Sequence, residues 1–193
     1  MTRQKIKDAA LALFVKDGYE GASISEITKT VKIKPASLYS HFESKEKLFL
    51  EIFNDLLRAK LNNIDRLKEQ IAGKEAKEQL LILFNDYYEW IHKDKSEMIF
   101  WKRTALFPPS FLREITHEEL INYETKYVNT LLKPIFIKGI KLGFLRNQDI
   151  DNFIVAFLNL MNSVFSEMYY STPEVYQKKV KILWENFWYF VKK

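Results

Sequence analysis

The sequence contains no cysteine, and only five glycines and five prolines among 193 residues. It can therefore form neither a disulfide framework nor a thiolate metal site, and its three histidines, at 41, 92 and 117, are too scattered for a zinc cluster. An all-β sandwich or barrel needs a turn about every 8–12 residues, more than these glycines and prolines provide. No stretch reaches 18 apolar residues without a charge, so we expect no membrane span.

What the chain does have is apolar side chains at helical spacing. They make up 47% of it, enough for a sizeable core. In residues 6–14 they recur three and four apart, and Gly18 is placed to end this helix. Periodicity and helix-start signals predict further helices from a Ser23–Glu26 capping box to Val31, over 35–42, 44–71, 75–93, 95–106, 110–141 with an irregularity near Pro134, 150–170, and from Thr172 to about 191. The predicted fold class is all-α: an N-terminal three-helix domain followed by a larger helical domain.

The first 50 residues carry an excess of positive charge. They hold nine of the 30 cationic side chains and six of the 25 anionic ones. The excess is typical of a segment with an anionic partner. On charge alone, however, a solvated charged face is the simpler interpretation.

Two short helices separated by a few residues, at 23–31 and 35–42, fit a helix-turn-helix motif. The second helix of such a motif enters the DNA major groove, where residues near its start reach base edges. Small and hydroxyl side chains suit base edges, and cationic or polar tips suit phosphates. Candidates of these kinds are Lys34, Ala36, Ser37, Tyr39, Ser40, His41 and Lys45. The helix spacing alone is weak evidence, because helical proteins contain many such pairs.

One set of residues within 6–53 matches a known pattern in order and spacing: Ile6, Ala9, Ala10, Leu13, Phe14, Gly18, Tyr19, Ser23, Ile24, Ile27, Leu38, Tyr39, His41, Phe42, Ser44, Lys45 and Leu48. On these residues the segment resembles the DNA-binding domain of the tetracycline-repressor (TetR) family. The resemblance implies phosphate contacts for Tyr39, His41 and Lys45. It implies positions at or near base edges for Ser25, Pro35, Ala36, Ser37 and Ser40.

The turn between the two helices departs from the family pattern. The family usually has glycine there, because the turn needs a left-handed backbone, whereas this chain has Lys32. A non-glycine residue in that conformation costs about 1 kcal/mol. The departure weakens the turn locally and leaves the fold prediction unchanged.

Each candidate DNA contact also has a purely structural interpretation. Tyr39 could be a half-buried core tyrosine, and His41 and Lys45 could be ordinary surface residues. Near the N-terminus, Arg3, Lys5 and Lys7 fit phosphate contacts and solvent exposure equally well.

The last two predicted helices are too apolar for the surface of a monomer. Trp184, Phe187, Trp188 and Val191, opposite residues 150–170, would bury well in a four-helix bundle across a dimer axis. TetR relatives typically dimerise through these two helices, so we expect a homodimer formed by residues 150–170 and 174–191. The alternative is a thick monomer core.

Aromatic residues are concentrated in the middle of the chain. Their periodicity implies only a core, but the family resemblance implies a pocket for a small hydrophobic ligand. The predicted ligand contacts are Phe84, Tyr88, Trp101, Phe107, Met161 and Phe165.

The resemblance implies a homodimeric transcriptional regulator with two domains. Residues 1–47 would bind a palindromic double-stranded DNA operator, and residues 48–193 would dimerise and bind an unidentified effector. The simplest form of this regulation is a repressor that leaves the operator when the effector binds. We expect a cytoplasmic protein with no membrane contact and no metal or other cofactor. The chain shows no nucleophile–base pattern or phosphate-binding loop, so we do not expect an enzyme. The alternatives are a helical interaction protein that does not bind DNA specifically, or a non-repressor use of the same fold, such as an activator or a DNA-bound division factor.

Overall fold

The computed structural model describes residues 2–93 and 95–193, and within them it contains helices and no β-strand. The α-helices are α1 Thr2–Gly21, α2 Ile24–Val31, α3 Pro35–Tyr39, α4 Lys45–Ile71, α5 Ala76–Lys93, α6 Lys95–Leu106, α7 Arg113–Tyr127, α8 Lys133–Lys141, α9 Ile150–Tyr170 and α10 Pro173–Val191. A 3₁₀ turn, Ser110–Leu112, precedes α7, and a π-helical turn, Val128–Leu132, precedes α8. The predicted all-α fold class is confirmed.

The start of α2 is fixed by side chains, as the sequence predicted. The Glu26 backbone N–H donates to Ser23 Oγ at 3.1 Å, and the Ser23 backbone N–H donates to the Glu26 carboxylate at 3.2 Å. The start of α4 uses the same chemistry, since the Lys47 N–H donates to Ser44 Oγ at 3.1 Å. These bonds satisfy amide groups that have no partner inside the helix.

The sequence pattern predicted that helix α1 ends at Gly18, and this prediction is wrong. Gly18 has φ 77° and ψ 175°, and the helix bends there and continues to Gly21. This backbone region is almost exclusive to glycine. The residue therefore creates a kink rather than a helix end.

The predicted irregularity near Pro134 is confirmed. The backbone N–H of Lys133 donates to the carbonyl of Val128, five residues earlier, which closes the π-helical turn. The extra residue in this turn places Pro134 in the first turn of α8, where a missing N–H costs little.

The chain divides into two compact units, each with its own core. The first comprises the described residues of 1–62 and 94–123, and the second those of 63–93 and 124–193. In the first unit the Phe49 ring lies 5.2 Å from Phe14 and 4.9 Å from Phe100. The second unit is built on α9 packed against α8 and α10, with Phe157 at 5.3 Å from Phe187.

This division differs from the functional boundary predicted between residues 47 and 48, because α4 continues well beyond that point. The predicted boundary concerns roles rather than packing and stays a prediction. None of the helices in the described part of the chain is both long and apolar enough to cross a bilayer.

Candidate nucleic-acid interface

The turn between α2 and α3 has the left-handed conformation that the sequence predicted. Lys32 has φ 60° and ψ 45°. Its N–H donates to the Lys29 carbonyl at 3.2 Å, and the Ile33 N–H donates to the Thr28 carbonyl at 3.0 Å. These bonds close the end of α2 and fix the direction in which α3 begins.

Helix α3 is held by two buried side chains and leaves its remaining surface free. Leu38 and, just beyond the helix, Phe42 are buried in the core. The side chains around them are exposed: Lys34, Pro35, Ala36, Ser37, Tyr39 and Ser40, with the Tyr39 ring 53% exposed. Ser25 on α2 is also exposed, and His41 is half-buried. An exposed tyrosine beside two buried apolar anchors is not the core tyrosine of the structural alternative.

The α-helix itself ends at Tyr39, earlier than the predicted 42, but the chain keeps turning. The Ser40 N–H donates to the Ala36 carbonyl at 3.1 Å, and the Phe42 N–H donates to Leu38 at 2.9 Å. The Ser40 hydroxyl donates to the Ser37 carbonyl at 2.8 Å, which leaves its oxygen able to accept. The Ser37 hydroxyl has no partner among the described residues and is free to donate.

Lys45 is engaged within the protein. Its Nζ donates to the carbonyls of Tyr19 at 2.8 Å and Ala22 at 3.0 Å, and lies 4.2 Å from the centre of the Tyr19 ring. Burial, followed by the charges of Glu46 and Glu20, raises the pKa of the Tyr19 phenol. Because it bonds these two carbonyls, the Lys45 ammonium caps the end of α1. A phosphate contact by Lys45 stays a prediction.

Two cations at the start of α1, Arg3 and Lys7, form ion pairs with α4. Arg3 pairs with Glu51 of α4, donates to the His41 carbonyl and lies 4.3 Å from the Phe42 ring. Lys7 Nζ donates to Asp55 at 2.6 Å, and this bond is the main reason that the pKa of Lys7 is raised. These pairs fasten α1 to α4, a role that the sequence alternatives did not include.

The positive charge left for a partner comes from other lysines. Lys5, Lys29, Lys32, Lys34 and Lys47 are exposed, and within residues 2–93 and 95–193 none of them forms an ion pair. Exposed, unpaired lysines provide phosphate contacts without any internal bond to break.

The six predicted ligand contacts are divided between the two compact units. Trp101 is buried in the first unit, 6.1 Å from Phe53, and Phe107, also in the first unit, is 77% exposed. The others belong to the second unit: Phe84 is buried, and Tyr88, Met161 and Phe165 are half-buried.

Tyr88 has a distinctive environment in the second unit. Its ring stacks on Tyr176 at 6.1 Å and lies 4.2 Å from the His92 ring. Burial, with a smaller contribution from Tyr88, raises the pKa of Tyr176 to about 12. The hydroxyl of Tyr176 therefore stays protonated at neutral pH.

The four apolar residues that the sequence analysis placed in a dimer interface lie mainly inside the protomer. Phe187 and Val191 are buried, and Trp184 is half-buried at 5.1 Å from Phe84. Trp188 is half-buried beneath the Lys77 ammonium, 5.4 Å from its ring centre. The apolar surface that α9 and α10 leave exposed consists instead of Val155, Tyr169, Tyr170, Val175, Ile182, Tyr189 and Phe190.

Sequence reasoning missed a cavity of about 400 Å³ at the junction of α6 and α7. Phe107 lines it, together with Thr104, Ala105, Leu106, Pro108, Arg113, Thr116, His117 and Leu120. The available signal was the Pro108-Pro109 stop followed by Arg113 and His117, which share a helix face at i and i+4.

Two short helices are joined by a tight turn, and the second presents a polar surface beside exposed lysines; this is the arrangement of a helix-turn-helix DNA-binding motif. The family model for bacterial regulatory proteins of the tetR family matches residues 6–52. The DNA-binding segment of the chain belongs to the TetR family, and the chain is a helix-turn-helix transcriptional regulator of that type.

Individual relatives agree with this assignment. The chain is 23% identical over 177 residues, 92% of its length and 83% of the relative, to a probable HTH-type transcriptional regulator of Bacillus subtilis, YttP. It is 45% identical over 47 residues, 24% of its length and 25% of the relative, to IcaR, the negative transcriptional regulator of the biofilm operon icaADBC in Staphylococcus epidermidis. The fold matches that of the regulator FadR from Bacillus subtilis in complex with stearoyl-CoA, with a TM-score of 0.71, 19% identity, and coverage of 97% of this chain and 98% of that one.

Proposed function

We propose that the protein is a repressor that binds a palindromic operator as a homodimer and is released from it by a small hydrophobic molecule. The observation that carries the DNA part is the free surface of α3, whose backbone is anchored by buried Leu38 and Phe42. Description of IcaR as a negative regulator supports repression. A protein with this role works in the cytoplasm, where bacterial DNA lies.

The proposed contacts follow from the exposure of each side chain. We assign Ser25, Pro35, Ala36, Ser37 and Ser40 to base edges, and their exposure supports this assignment. Lys34, Tyr39, His41 and Lys45 are assigned to phosphates. Lys34 is the clearest of the phosphate contacts, because it is exposed and unpaired, whereas Lys45 would have to leave two carbonyls or reach a phosphate while still bound to them.

The proposed dimer interface is the exposed surface of α9 and α10. On α10, Val175, Ile182 and Tyr189 are exposed at intervals of seven residues, the spacing of a helix-packing stripe. On α9, residues 152–166 carry no charged side chain at all. A neutral helix face beside an apolar stripe suits close packing against a second copy in a four-helix bundle.

The proposed effector is small and at least partly apolar. The structure of FadR with stearoyl-CoA supports a ligand of this kind for a protein of the same fold. Phe84, Tyr88, Trp101, Phe107, Met161 and Phe165 stay candidates for its contacts.

The test is to sequence genomic fragments retained by the purified protein and then to measure affinity for the recovered site. Lys34→Ala should weaken binding about equally for all sequences and lower the slope of log affinity against log salt by about 1. Ser37→Ala should change preference at particular bases, at a cost of about 1–3 kcal/mol. Lys68→Ala, an exposed lysine at the far end of α4, is the matched control. If no fragment is retained at physiological salt, the protein is a helical interaction protein instead.

A further inference from the structure

We propose that the cavity between α6 and α7 binds a small amphipathic carboxylate. The cavity holds about 400 Å³, within the range of sites for small molecules. It lies wholly within the first compact unit. The expected effect of the carboxylate on DNA affinity rests on the proposed function, whereas binding of the carboxylate to the cavity does not.

The polar groups of the cavity favour an anion. Arg113 and His117 line it one helical turn apart on α7, and no Asp or Glu is found among its described lining residues. Arg113 forms no ion pair within the described part of the chain. A free guanidinium presents two parallel N–H donors, which match the two oxygens of a carboxylate.

A hydroxyl without a partner on the cavity wall adds a second, independent observation. Thr104 is only 3% exposed and lines the cavity, and among the described residues its hydroxyl has no hydrogen-bond partner. Thr116, also buried on the cavity wall, already donates to the Leu112 carbonyl at 2.9 Å. The Thr104 hydroxyl is therefore open to the cavity and free to bond a ligand oxygen.

The remaining lining is apolar. Leu106, Phe107 and Leu120 complete the wall, and Leu106 and Phe107 are among the most exposed apolar side chains of the described residues. A hydrocarbon chain or ring attached to the carboxylate would cover them, because burying apolar surface is favourable. The site therefore selects a molecule with one anionic end and one apolar end.

The cavity adjoins a contact to the DNA-binding helices. Arg103, next to Thr104, donates from Nη1 to the Val15 carbonyl of α1 at 3.1 Å. A ligand that moves the last turn of α6 would act on this bond, so its binding should change affinity for DNA, and DNA should change affinity for the ligand by the same factor.

The binding test uses octanoate, with 1-octanol and octyl phosphate for comparison, titrated into the full chain by calorimetry without DNA. Octanoate should bind, 1-octanol should bind at least tenfold more weakly, and Arg113→Gln should weaken octanoate binding at least tenfold. Arg113→Lys, which keeps the charge but loses the paired donors, should lose a large part of the affinity, and Thr104→Val several-fold. Arg58→Gln, an exposed arginine of α4, should bind as the wild type does, and circular dichroism checks that every variant is folded.

No octanoate binding at millimolar concentration, equal binding of 1-octanol, or unchanged binding by Arg113→Gln would each overturn the inference. Tighter binding of octyl phosphate would overturn the assignment to carboxylates. In a second arm, octanoate should weaken binding to the recovered operator in the wild type but not in Arg113→Gln. If no operator is recovered, the proposed function fails, while the calorimetry still decides the cavity.

Discussion

Single side chains set the ends of the short helices, and Ser23 is the clearest case. Hydrogen bonds from the Ser23 side chain and then its backbone lower the pKa of Glu26. Because the pKa is lower in the folded state, this contribution to stability is present above the ordinary Glu pKa, about 4.3, and is lost as the pH falls through the lowered value.

Replacing Ser23 by Ala should therefore destabilise the protein by about 1 kcal/mol at pH 7. The difference from wild type should shrink below pH 4 without vanishing, because the bond from the Glu26 N–H to Ser23 Oγ does not titrate. Urea denaturation at pH 7, 4 and 3 measures both effects, with Ser25→Ala as the control expected to stay near wild type. A Ser23→Ala difference that is constant with pH would show that the bond from the Ser23 hydroxyl to the Glu26 carboxylate contributes nothing.

What the sequence could predict at this scale depended on local chemistry. The capping box joins residues three apart, so spacing alone revealed it, whereas the left-handed turn at Lys32 was expected from the resemblance to a family that usually has glycine there. The bonds of Arg3 to Glu51 and of Lys45 to Tyr19 and Ala22 join residues tens of positions apart, and no local pattern specifies such partners.

Helix boundaries were predictable from periodicity, but the bend in α1 was not. Glycine after a helical stripe usually ends the helix, and only the contact with α6 shows why the chain continues. A Cβ at Gly18 would lie 2.8 Å from Nη2 of Arg103. The missing side chain therefore makes room for a guanidinium from another helix as well as permitting the backbone angle.

Gly18→Ala should consequently destabilise the protein by about 2–3 kcal/mol, since its backbone conformation is nearly exclusive to glycine. Gly73→Ala is the matched variant, because Gly73 also has a positive φ, 75°, but has no atom within 4 Å of a Cβ. It should cost only about 1 kcal/mol. Thermal and urea unfolding compare the two, and equal costs would mean that neither the ψ of 175° at Gly18 nor the space for Arg103 adds to the cost of a positive φ.

For the whole molecule, the sequence indicated an apolar C-terminal pair of helices without showing which faces are used. The composition gives the number of tryptophans but not the direction of their side chains. In the structure, the Trp184 ring lies against Phe84. The same limit applies to the cavity, because α6 and α7 meet there only after the chain has folded.

Assembly should depend on the exposed stripe of α10. Ile182→Asp places a charge on a side chain that is 43% exposed in the protomer and would be desolvated in a dimer, at a cost of several kcal/mol. Sedimentation velocity at micromolar concentration should show a dimer for the wild type and a monomer for this variant. Ile121→Asp, on an exposed position of α7, should remain dimeric, and a monomeric wild type would contradict the proposal.

In the proposed dimer, the uncharged stretch of α9 would make assembly respond to ions less than DNA binding does. Affinity that depends on phosphate contacts falls steeply as salt rises, whereas a contact between neutral faces has no charges to screen. For the proposed repressor, accumulation of potassium under osmotic stress would release the dimer from the operator without separating its subunits. When the ions are exported, the two α3 helices of the intact dimer would rebind the operator at once, because the subunits would not have to associate again.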